Sequence, residues 1–241
     1  MLMAYRGFKN EYPENTMAAV NAACKADVDG VHIDVQMLLD KTVIVHRDVP
    51  LGRCENKDGH IYNYRADNFQ SFSVGEKFSE EYVPERIPLM EDVVREVKES
   101  GKFLGVEISY DARPDFCFKN DCVNQIMGII EKYDMLDKCY ITSYNHIMLK
   151  EIKEKYPDTK VFITFMTEHT HNLDIVDYVL NYGFDGVHCH VSYVTDEFIK
   201  RLHNNGLELS VFGVADKTVY KKVLNLKADF INIDVSKEII L

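Results

Sequence analysis

With 241 residues, 46% of them hydrophobic, the chain is long enough to bury one full core as a single domain spanning residues 1–241. Its formal net charge of −11, from 28 basic and 39 acidic residues, opposes nucleic-acid binding because the basic residues form no concentrated patch. Charges break every apolar run before the roughly 20 residues that a transmembrane helix needs, and the opening residues lack a signal-peptide pattern, so we expect a soluble, cytoplasmic protein.

Short apolar runs with the length of buried β-strands alternate along the chain with amphipathic segments that have the period of α-helices. The predicted strands are residues 2–5, 30–36, 103–109, 139–143, 160–165, 186–189, 208–213 and 230–234. The predicted helices are residues 15–26, 89–100, 122–133, 146–156, 173–182, 195–204 and 217–226. This alternation indicates parallel strands joined by helical crossovers, and eight such units can close without a free sheet edge. We therefore predict an α/β fold, a (β/α)₈ TIM barrel.

The regular spacing breaks once, after the second predicted strand. Residues 41–47 are expected to form an extra strand that pairs with the end of that strand, and residues 49–86 form a small insertion rich in turns and aromatic side chains. Aromatic side chains in such a segment need burial. The insertion is therefore interpreted as a small packed cap, with a substrate-covering lid as the alternative.

Polar side chains mark the carboxyl ends of the predicted strands, where the active site of such a barrel lies. His32 and Asp34 are two residues apart and point to the same face, and Glu107 and Ser109 repeat this spacing on the next barrel strand. We expect Asp34 and Glu107 to lie close together, so that they need a cation between them or a proton on one of them. An imidazole with two carboxylates is an acceptable divalent-metal site, and a hydrogen-bonded polar cluster is the alternative.

Two further groups of side chains have both a functional and a structural interpretation. Arg6 follows the first strand, where its planar guanidinium could bind an anion, and a structural salt bridge to Glu14 or Asp48 is equally consistent with its position. His188 and His190 share one face of the sixth strand and could complete a site with the residues on the second and third strands. Otherwise they line the pocket or make hydrogen bonds.

Several short motifs occur in a fixed order along nearly the whole chain. They are Tyr5-Arg6-Gly7, Pro13-Glu14-Asn15-Thr16, Asp29-Gly30-Val31-His32-Ile33-Asp34-Val35, Arg47-Asp48-Val49-Pro50-Leu51-Gly52-Arg53, Ile87-Pro88-Leu89-Met90-Glu91, Glu107-Ile108-Ser109, Ser143-Tyr144, Val211-Phe212 and Ile233-Asp234. In their order and residue types these segments resemble the glycerophosphodiester phosphodiesterase family, with a divergent site. The resemblance implies a barrel of the PLC-like phosphodiesterase type and a phosphoric diester hydrolase of glycerol and lipid metabolism.

The family's chemistry, as the resemblance implies it, uses a divalent metal held at three positions, here His32, Asp34 and Glu107. The metal would be Mg²⁺ or Ca²⁺, or Zn²⁺ if His32 is a ligand. Two histidines act as acid and base, and these positions are Tyr5 and Arg47 here.

The remaining implied roles concern the substrate. Arg6 is retained at its catalytic position, and the resemblance places Arg6, Arg47, Ser109 and Phe212 against the substrate, where Ser109 stands in place of a lysine. Neither Tyr5 nor Arg47 is a good proton carrier near pH 7, so impaired or altered catalysis is expected. His46 adjoins position 47 and could replace it only after a slip in strand register.

These residues leave three hypotheses. The protein is a glycerophosphodiester phosphodiesterase-like hydrolase with altered catalysis, a catalytically inactive protein that binds a phosphodiester or another anion, or a metal-dependent hydrolase with a new reaction. In each case the expected partner is a small molecule. The sequence indicates neither the alcohol groups of a substrate nor the oligomeric state.

Overall fold

The computed structural model describes residues 1–69, 71–109, 119–165 and 173–234. Eight parallel strands form a closed barrel, which confirms the predicted (β/α)₈ architecture. Its strands are β1 (Leu2–Tyr5), β2 (Gly30–Met37), β4 (Phe103–Ile108), β5 (Cys139–Ser143), β6 (Lys160–Thr164), β7 (Gly186–His190), β8 (Glu208–Val214) and β9 (Phe230–Ile233). One further strand, β3 (Val43–Val45), lies outside the barrel.

Closure depends on β1, which pairs in parallel with β2 on one side and with β9 on the other. Every other neighbouring pair in the barrel is also parallel, so all the carboxyl ends lie at one mouth. The extra strand β3 pairs antiparallel with the end of β2, as predicted. It is shorter than residues 41–47, because Lys41 has a φ of 69° and belongs to the turn that precedes the strand.

The helices pack around the barrel between the strands. They are α1 (Met17–Cys24), α2 (Ala66–Phe69), α3 (Met90–Glu99), α4 (Lys119–Lys132), α5 (His146–Lys155), α6 (Ile175–Tyr182), α7 (Asp196–Asn204) and α8 (Lys217–Asn225). Side chains cap several helices, as Thr195 and Asp216 do for α7 and α8. Within the described ranges, no helix combines the length and the apolar character needed to cross a lipid bilayer.

The start of the first helix differs from the prediction in a way that shapes the site. Residues 15–26 were expected to be helical, but α1 begins at Met17 and Thr16 caps it by accepting a hydrogen bond from the Ala19 amide. Asn15 lies outside the helix with a φ of 56°. A left-handed residue cannot continue a right-handed helix, and this turn directs the Asn15 side chain into the barrel mouth.

Three apolar clusters support this arrangement. The largest lies between the barrel wall and the surrounding helices, and Met3, Tyr140, Phe162 and Phe230 fill the lower barrel interior. The third belongs to the segment after β2, whose buried members are Leu38, Ile44, Leu51, Ile61, Phe69, Phe72, Val74 and Ile87. Phe69 and Phe72 are therefore buried in this cluster with Tyr64 packed against it, whereas Phe78 is exposed.

Gly105 on β4 makes room for two rings inside the barrel. A Cβ atom at this position would lie 2.6 Å from the Tyr140 Cζ and Oη atoms and 2.8 Å from His32 Cδ2. Neither ring can move easily, because Tyr140 and His32 are both completely buried. The glycine is thus required by the polar layer that lies above the apolar floor.

We expect Gly105→Ala to lower the free energy of unfolding by about 1–3 kcal/mol, the usual effect of overpacking a filled core. Gly128→Ala is the matched control, since Gly128 is exposed within α4 and a Cβ there meets nothing within 4 Å. The control should stabilise the protein by about 0.5–1 kcal/mol. Chemical denaturation of both variants measures this difference, and equal stabilities would contradict the packing argument.

Candidate active site

The carboxyl ends of β1, β2 and β4 bring the predicted site residues together. Asp34 and Glu107 are register partners on β2 and β4, and Tyr5 is the partner of His32 across β1 and β2. The expectation that the two carboxylates lie side by side is therefore correct. Both are buried, with Asp34 fully enclosed and Glu107 about 5% exposed.

Arg6 neutralises Asp34 directly. It has a φ of 62°, and its backbone amide donates a hydrogen bond of 2.7 Å to the carbonyl of His32. The guanidinium Nε lies 2.8 Å from Asp34 Oδ2, while Nη1 donates to Glu14 Oε1 at 2.9 Å and Nη2 to the Tyr5 hydroxyl at 3.3 Å. Of the two predicted salt-bridge partners, Glu14 is therefore the one that Arg6 contacts.

Asn15 is a site residue that the sequence prediction did not assign. Its Nδ2 donates a hydrogen bond of 2.8 Å to Asp34 Oδ2, and its Oδ1 accepts one of 3.2 Å from the Asp34 amide. One oxygen of Asp34 is thus shared by Arg6 and Asn15. The signal in the sequence was the position of Asn15 in the Pro13-Glu14-Asn15-Thr16 motif, within which only Glu14 was considered as a contact of the site, through a salt bridge to Arg6.

Glu14 is held by two arginines. Arg53 donates to Glu14 Oε2 at 3.0 Å and to Oε1 at 2.6 Å, and Asp48 also pairs with Arg53 rather than with Arg6. Burial alone would raise the pKa of Glu14, but the hydrogen bonds from Arg53 and the charge of Arg6 lower it to about 2. The charged network continues from the barrel mouth into the segment after β3.

A pair of histidines lies below the carboxylates. The rings of His32 and His188 are parallel within 5° with centroids 5.3 Å apart, and both residues are completely buried. His188 Nδ1 lies 2.8 Å from Ser210 Oγ, and its Nε2 lies 3.8 Å from Glu107 Oε2. Neither ring nitrogen of His32 has a hydrogen-bond partner in the described part of the chain.

Burial sets the protonation of this layer. It lowers the pKa of His32 to about 3, assisted by the positive charges of Arg6 and Arg47, and it lowers the pKa of His188 well below its ordinary value. Burial also raises the pKa of Glu107 to about 7, assisted by the negative charge of Asp34. Both imidazoles are therefore neutral near pH 7, the form in which a histidine can bind a metal ion.

The donor atoms fit a divalent metal ion that prefers nitrogen ligands. A ligand atom from each of His32, Glu107 and His188 lies within 4.8 Å of the other two. The unpartnered nitrogens of His32 and His188 are buried polar atoms that a metal ion would satisfy. Imidazole donors suit Zn²⁺ and similar ions, whereas Mg²⁺ and Ca²⁺ favour a set made of oxygens.

Two histidines considered in the sequence lie outside this cluster. His46 is buried after β3, with its Nε2 3.4 Å from Glu55 Oε1, so the slip in register that would bring it into position 47 is absent. His190 ends β7, and its Nδ1 lies 2.8 Å from Ser192 Oγ. Of the pair on β7, only His188 joins the buried donors.

Tyr5 and Phe212 form an aromatic wall. Their rings stack with centroids 6.0 Å apart, and Phe212 also stacks on His188 at 4.9 Å. Burial and the charges of Asp34 and Glu107 raise the pKa of Tyr5 beyond its ordinary value. The Tyr5 hydroxyl therefore stays protonated near neutral pH.

Arg47 is the second guanidinium at the barrel mouth. Its charge contributes to lowering the pKa of Tyr5, His32, Glu107 and Tyr144, which shows that it faces the same centre. Gln36 Nε2 donates to its backbone carbonyl at 2.6 Å. Among the described residues its guanidinium makes no ion pair, in contrast to that of Arg6.

Two more residues border this mouth. Ser109 directly follows β4 and is partly buried, and its amide donates a hydrogen bond of 3.1 Å to the carbonyl of Val35. Lys9, which the sequence prediction did not single out, lies 4.9 Å above the Tyr5 ring, and its Nζ lies 2.6 Å from Asp234 Oδ1. A lysine is thus present near the mouth although position 109 is a serine.

Comparison with known proteins identifies the arrangement. Residues 6–238 match the model of the glycerophosphoryl diester phosphodiesterase family. The chain belongs to this family.

Individual relatives agree with this assignment. A glycerophosphodiester phosphodiesterase of Bacillus altitudinis is 27% identical over 97% of this chain and 94% of its own length. One from Caldanaerobacter subterraneus is 26% identical over 68% of this chain, and the match spans 66% of that protein. The structure of an Oleispira antarctica phosphodiesterase in complex with the product sn-glycerol-3-phosphate superposes with a TM-score of 0.88 at 20% identity, covering 99% of this chain and 94% of that one.

The residues that the motifs singled out on β1, β2 and β4 lie together at the barrel mouth. Arg6 pairs with Asp34, Glu107 is the register partner of Asp34, and Tyr5 is the register partner of His32. Their roles in a reaction stay predictions. The sequence analysis considered His188 as a further site residue but not Ser210 or Asn232, which lie on strands distant in the chain.

We expect Asn15→Ala to destabilise the protein more than Asn15→Gly. Both variants lose the two hydrogen bonds to Asp34. Glycine adopts the φ near 56° without strain, whereas alanine does so at a cost of about 1–2 kcal/mol. Urea denaturation of the two variants beside the parent chain measures the difference. Equal losses of stability would mean that the left-handed turn at Asn15 is not a constraint.

Glu14→Gln should lower stability on the order of 2 kcal/mol at pH 7, with a loss that shrinks as the pH falls from about 4.5 to about 2. The sign follows because the folded pKa of Glu14 lies below its unfolded value, so the stabilisation exists above the unfolded pKa and disappears as the folded carboxylate becomes protonated. Thermal unfolding across this range tests it. Glu154→Gln is the control, since Glu154 is exposed on α5, and a pH-independent effect of Glu14→Gln would contradict the assignment.

Proposed function

We propose that the protein hydrolyses small glycerol-based phosphodiesters in a metal-dependent reaction, at a rate reduced by the replacement of both family histidines. The observation that carries this proposal is the group of Arg6, Asp34 and Glu107 at the barrel mouth, with the guanidinium of Arg47, which makes no ion pair among the described residues, near it. The domain is proposed to span residues 1–241 with an insertion at about 49–86, and its cytoplasmic location stays a prediction.

Substrate binding is assigned to the guanidinium groups. Three of the five N–H donors of Arg6 contact Asp34, Glu14 and Tyr5, which leaves two for a phosphoryl oxygen. The guanidinium of Arg47 makes no ion pair among the described residues and supplies a second planar fork. Ser109 adds a hydroxyl, and Phe212 offers an apolar face to the alcohol portion of the substrate.

A divalent ion in this site would be held by His32 and Glu107, beside Asp34, which the family resemblance makes the third ligand and which Arg6 and Asn15 contact through Oδ2. When bound, it would act as a Lewis acid that polarises the phosphoryl oxygens. Arg6 and Arg47 would neutralise the charge that develops on the other phosphoryl oxygens in the transition state. Asn15 and Glu14 hold Asp34 and Arg6 in position for this task.

The chain has Tyr5 and Arg47 at the two positions where, by the family resemblance, histidines transfer protons. Tyr5 remains protonated because burial raises its pKa, and a guanidinium such as that of Arg47 is a poor proton carrier. A general acid or base contributes typically about 10²–10⁴-fold to the rate. We therefore propose turnover well below that of relatives that retain both histidines.

The test is turnover of glycerophosphodiesters and of a generic aryl phosphodiester, with Mg²⁺, Ca²⁺, Mn²⁺ or Zn²⁺ added to metal-free protein. We expect slow, metal-dependent release of alcohol that Asp34→Ala abolishes and Arg47→Met reduces at least about tenfold, since a charge-assisted contact is worth roughly 1.5–3 kcal/mol. Lys200→Met is the control for loss of a remote positive charge, because Lys200 is exposed on α7. Ligand binding without turnover in folded protein would instead identify an anion-binding protein on an inactive barrel.

A further inference from the structure

The two buried histidines have ring nitrogens that lack hydrogen-bond partners among the described residues. His32 and His188 are fully enclosed inside the barrel, and His32 Nδ1, His32 Nε2 and His188 Nε2 have no hydrogen-bond partner in the described part of the chain. Leaving a buried polar atom unsatisfied costs about 1–3 kcal/mol. Three such atoms in one layer therefore require a partner that the described residues do not supply.

Glu107 supplies the third donor at the same place. Its Oε2 lies 3.8 Å from His188 Nε2, and a donor atom of His32 lies within 4.8 Å of both. Ligands of a tetrahedral zinc ion with bonds of about 2.0–2.1 Å are separated by about 3.3 Å. The three side chains therefore need to approach by roughly 1 Å, which small rotations provide.

Asp34 is not among the donor atoms that lie within 4.8 Å of one another. Its Oδ2 lies 2.8 Å from Arg6 Nε and accepts a hydrogen bond of 2.8 Å from Asn15 Nδ2, whereas its Oδ1 has no hydrogen-bond partner among the described residues. A metal ion on Oδ1 would share this carboxylate with the positive guanidinium of Arg6. His188 instead approaches Glu107 from β7.

Behind His188, a chain of buried hydrogen bonds fixes the ring. His188 Nδ1 lies 2.8 Å from Ser210 Oγ, which accepts from Asn232 Nδ2 at 2.9 Å. Asn232 Oδ1 accepts from the Tyr140 hydroxyl at 2.9 Å. Metal-binding histidines usually have such a partner on the nitrogen that does not bind the metal, and here it leaves Nε2 directed at Glu107.

We propose that His32, Glu107 and His188 form a binding site for a divalent transition-metal ion of the zinc class, in which His188 takes the place of Asp34. Two imidazoles and one carboxylate select Zn²⁺, Co²⁺ or a similar ion over Mg²⁺ and Ca²⁺. Three protein ligands leave one position open for an oxygen from outside the protein. The inference deepens the proposed function and rests on it for the metal's role in hydrolysis, but binding is measured without substrate.

The first experiment titrates Co²⁺ into chelator-treated protein and follows the visible absorption of the cobalt ion, then displaces it with Zn²⁺. We expect an intense band typical of four ligands including nitrogen, lost on addition of one equivalent of Zn²⁺ and unaffected by millimolar Mg²⁺. The absence of such a band, together with no Zn²⁺ binding by calorimetry, overturns the proposal and leaves water as the partner of the buried nitrogens.

Variants decide which residues bind the ion. His188→Gln should weaken Zn²⁺ binding more than the roughly 10–100-fold that loss of an outer hydrogen-bond partner produces, and Ser210→Ala should weaken it by that smaller factor. Asp34→Asn should change the affinity less than about threefold, as should the matched control His190→Gln, which alters a histidine two residues along the same strand. A large loss in Asp34→Asn with none in His188→Gln would overturn the proposal.

Separate measurements distinguish a loss of folding, a loss of metal binding and a loss of turnover. Circular dichroism of each variant verifies the fold, and if His188→Gln does not fold, Ser210→Ala and the cobalt spectrum of the parent chain carry the decision. Zn²⁺ binding at His188 without hydrolysis contradicts only the proposed function. Hydrolysis supported by Mg²⁺ with no transition-metal binding contradicts only this inference.

Discussion

The ion pair between Arg6 and Asp34 is the contact on which the barrel mouth depends. Asp34 is completely buried, and a buried carboxylate requires compensation for the water that it has lost. Arg6 and Asn15 provide it from two left-handed turns in the loop between β1 and α1, and Glu14 and Arg53 extend the network into the segment after β3. Removing one member of a buried pair destabilises a protein by about 3–5 kcal/mol, so this network fixes the loop as well as the charge.

The barrel interior is organised in layers that follow from strand register. Met3, Phe162 and Phe230 contribute to an apolar floor, His32 and His188 lie above it, and Asp34 lies two residues further along β2, at the mouth. Because all eight strands are parallel, their inward side chains can change from apolar to polar toward the same end of the barrel. The polar layers lie toward the carboxyl ends of the strands, which is where the active sites of such barrels occur.

The sequence predicted those features that depend on local periodicity or on neighbouring strands. The alternation of strands and helices predicted the closed barrel. The two-residue spacing of His32 and Asp34, repeated at Glu107 and Ser109, predicted that these side chains lie on the same face of their strands. It could not predict that Asn15 would take a left-handed conformation and contact Asp34, since a motif shows residue types and not backbone angles. The hydrogen bonds from His188 through Ser210 and Asn232 to Tyr140 join three distant segments. Only the three-dimensional pairing of β5, β7, β8 and β9 around the barrel reveals them.

The charge balance of the mouth supports the proposed preference for a transition metal over Mg²⁺ and Ca²⁺. In the family pattern three carboxylates create a strong demand for a divalent cation. Here His32 is neutral near pH 7, and burial raises the pKa of Glu107 to about 7, while Arg6 and Arg47 bring positive charge to the same centre. An ion such as Mg²⁺, which binds mainly through charge, gains little in such a centre. An ion that binds neutral imidazole retains its affinity, because donor type rather than net charge determines its binding. On this proposal, a histidine at position 32 weakens the binding of Mg²⁺ and Ca²⁺ and strengthens the binding of Zn²⁺-class ions.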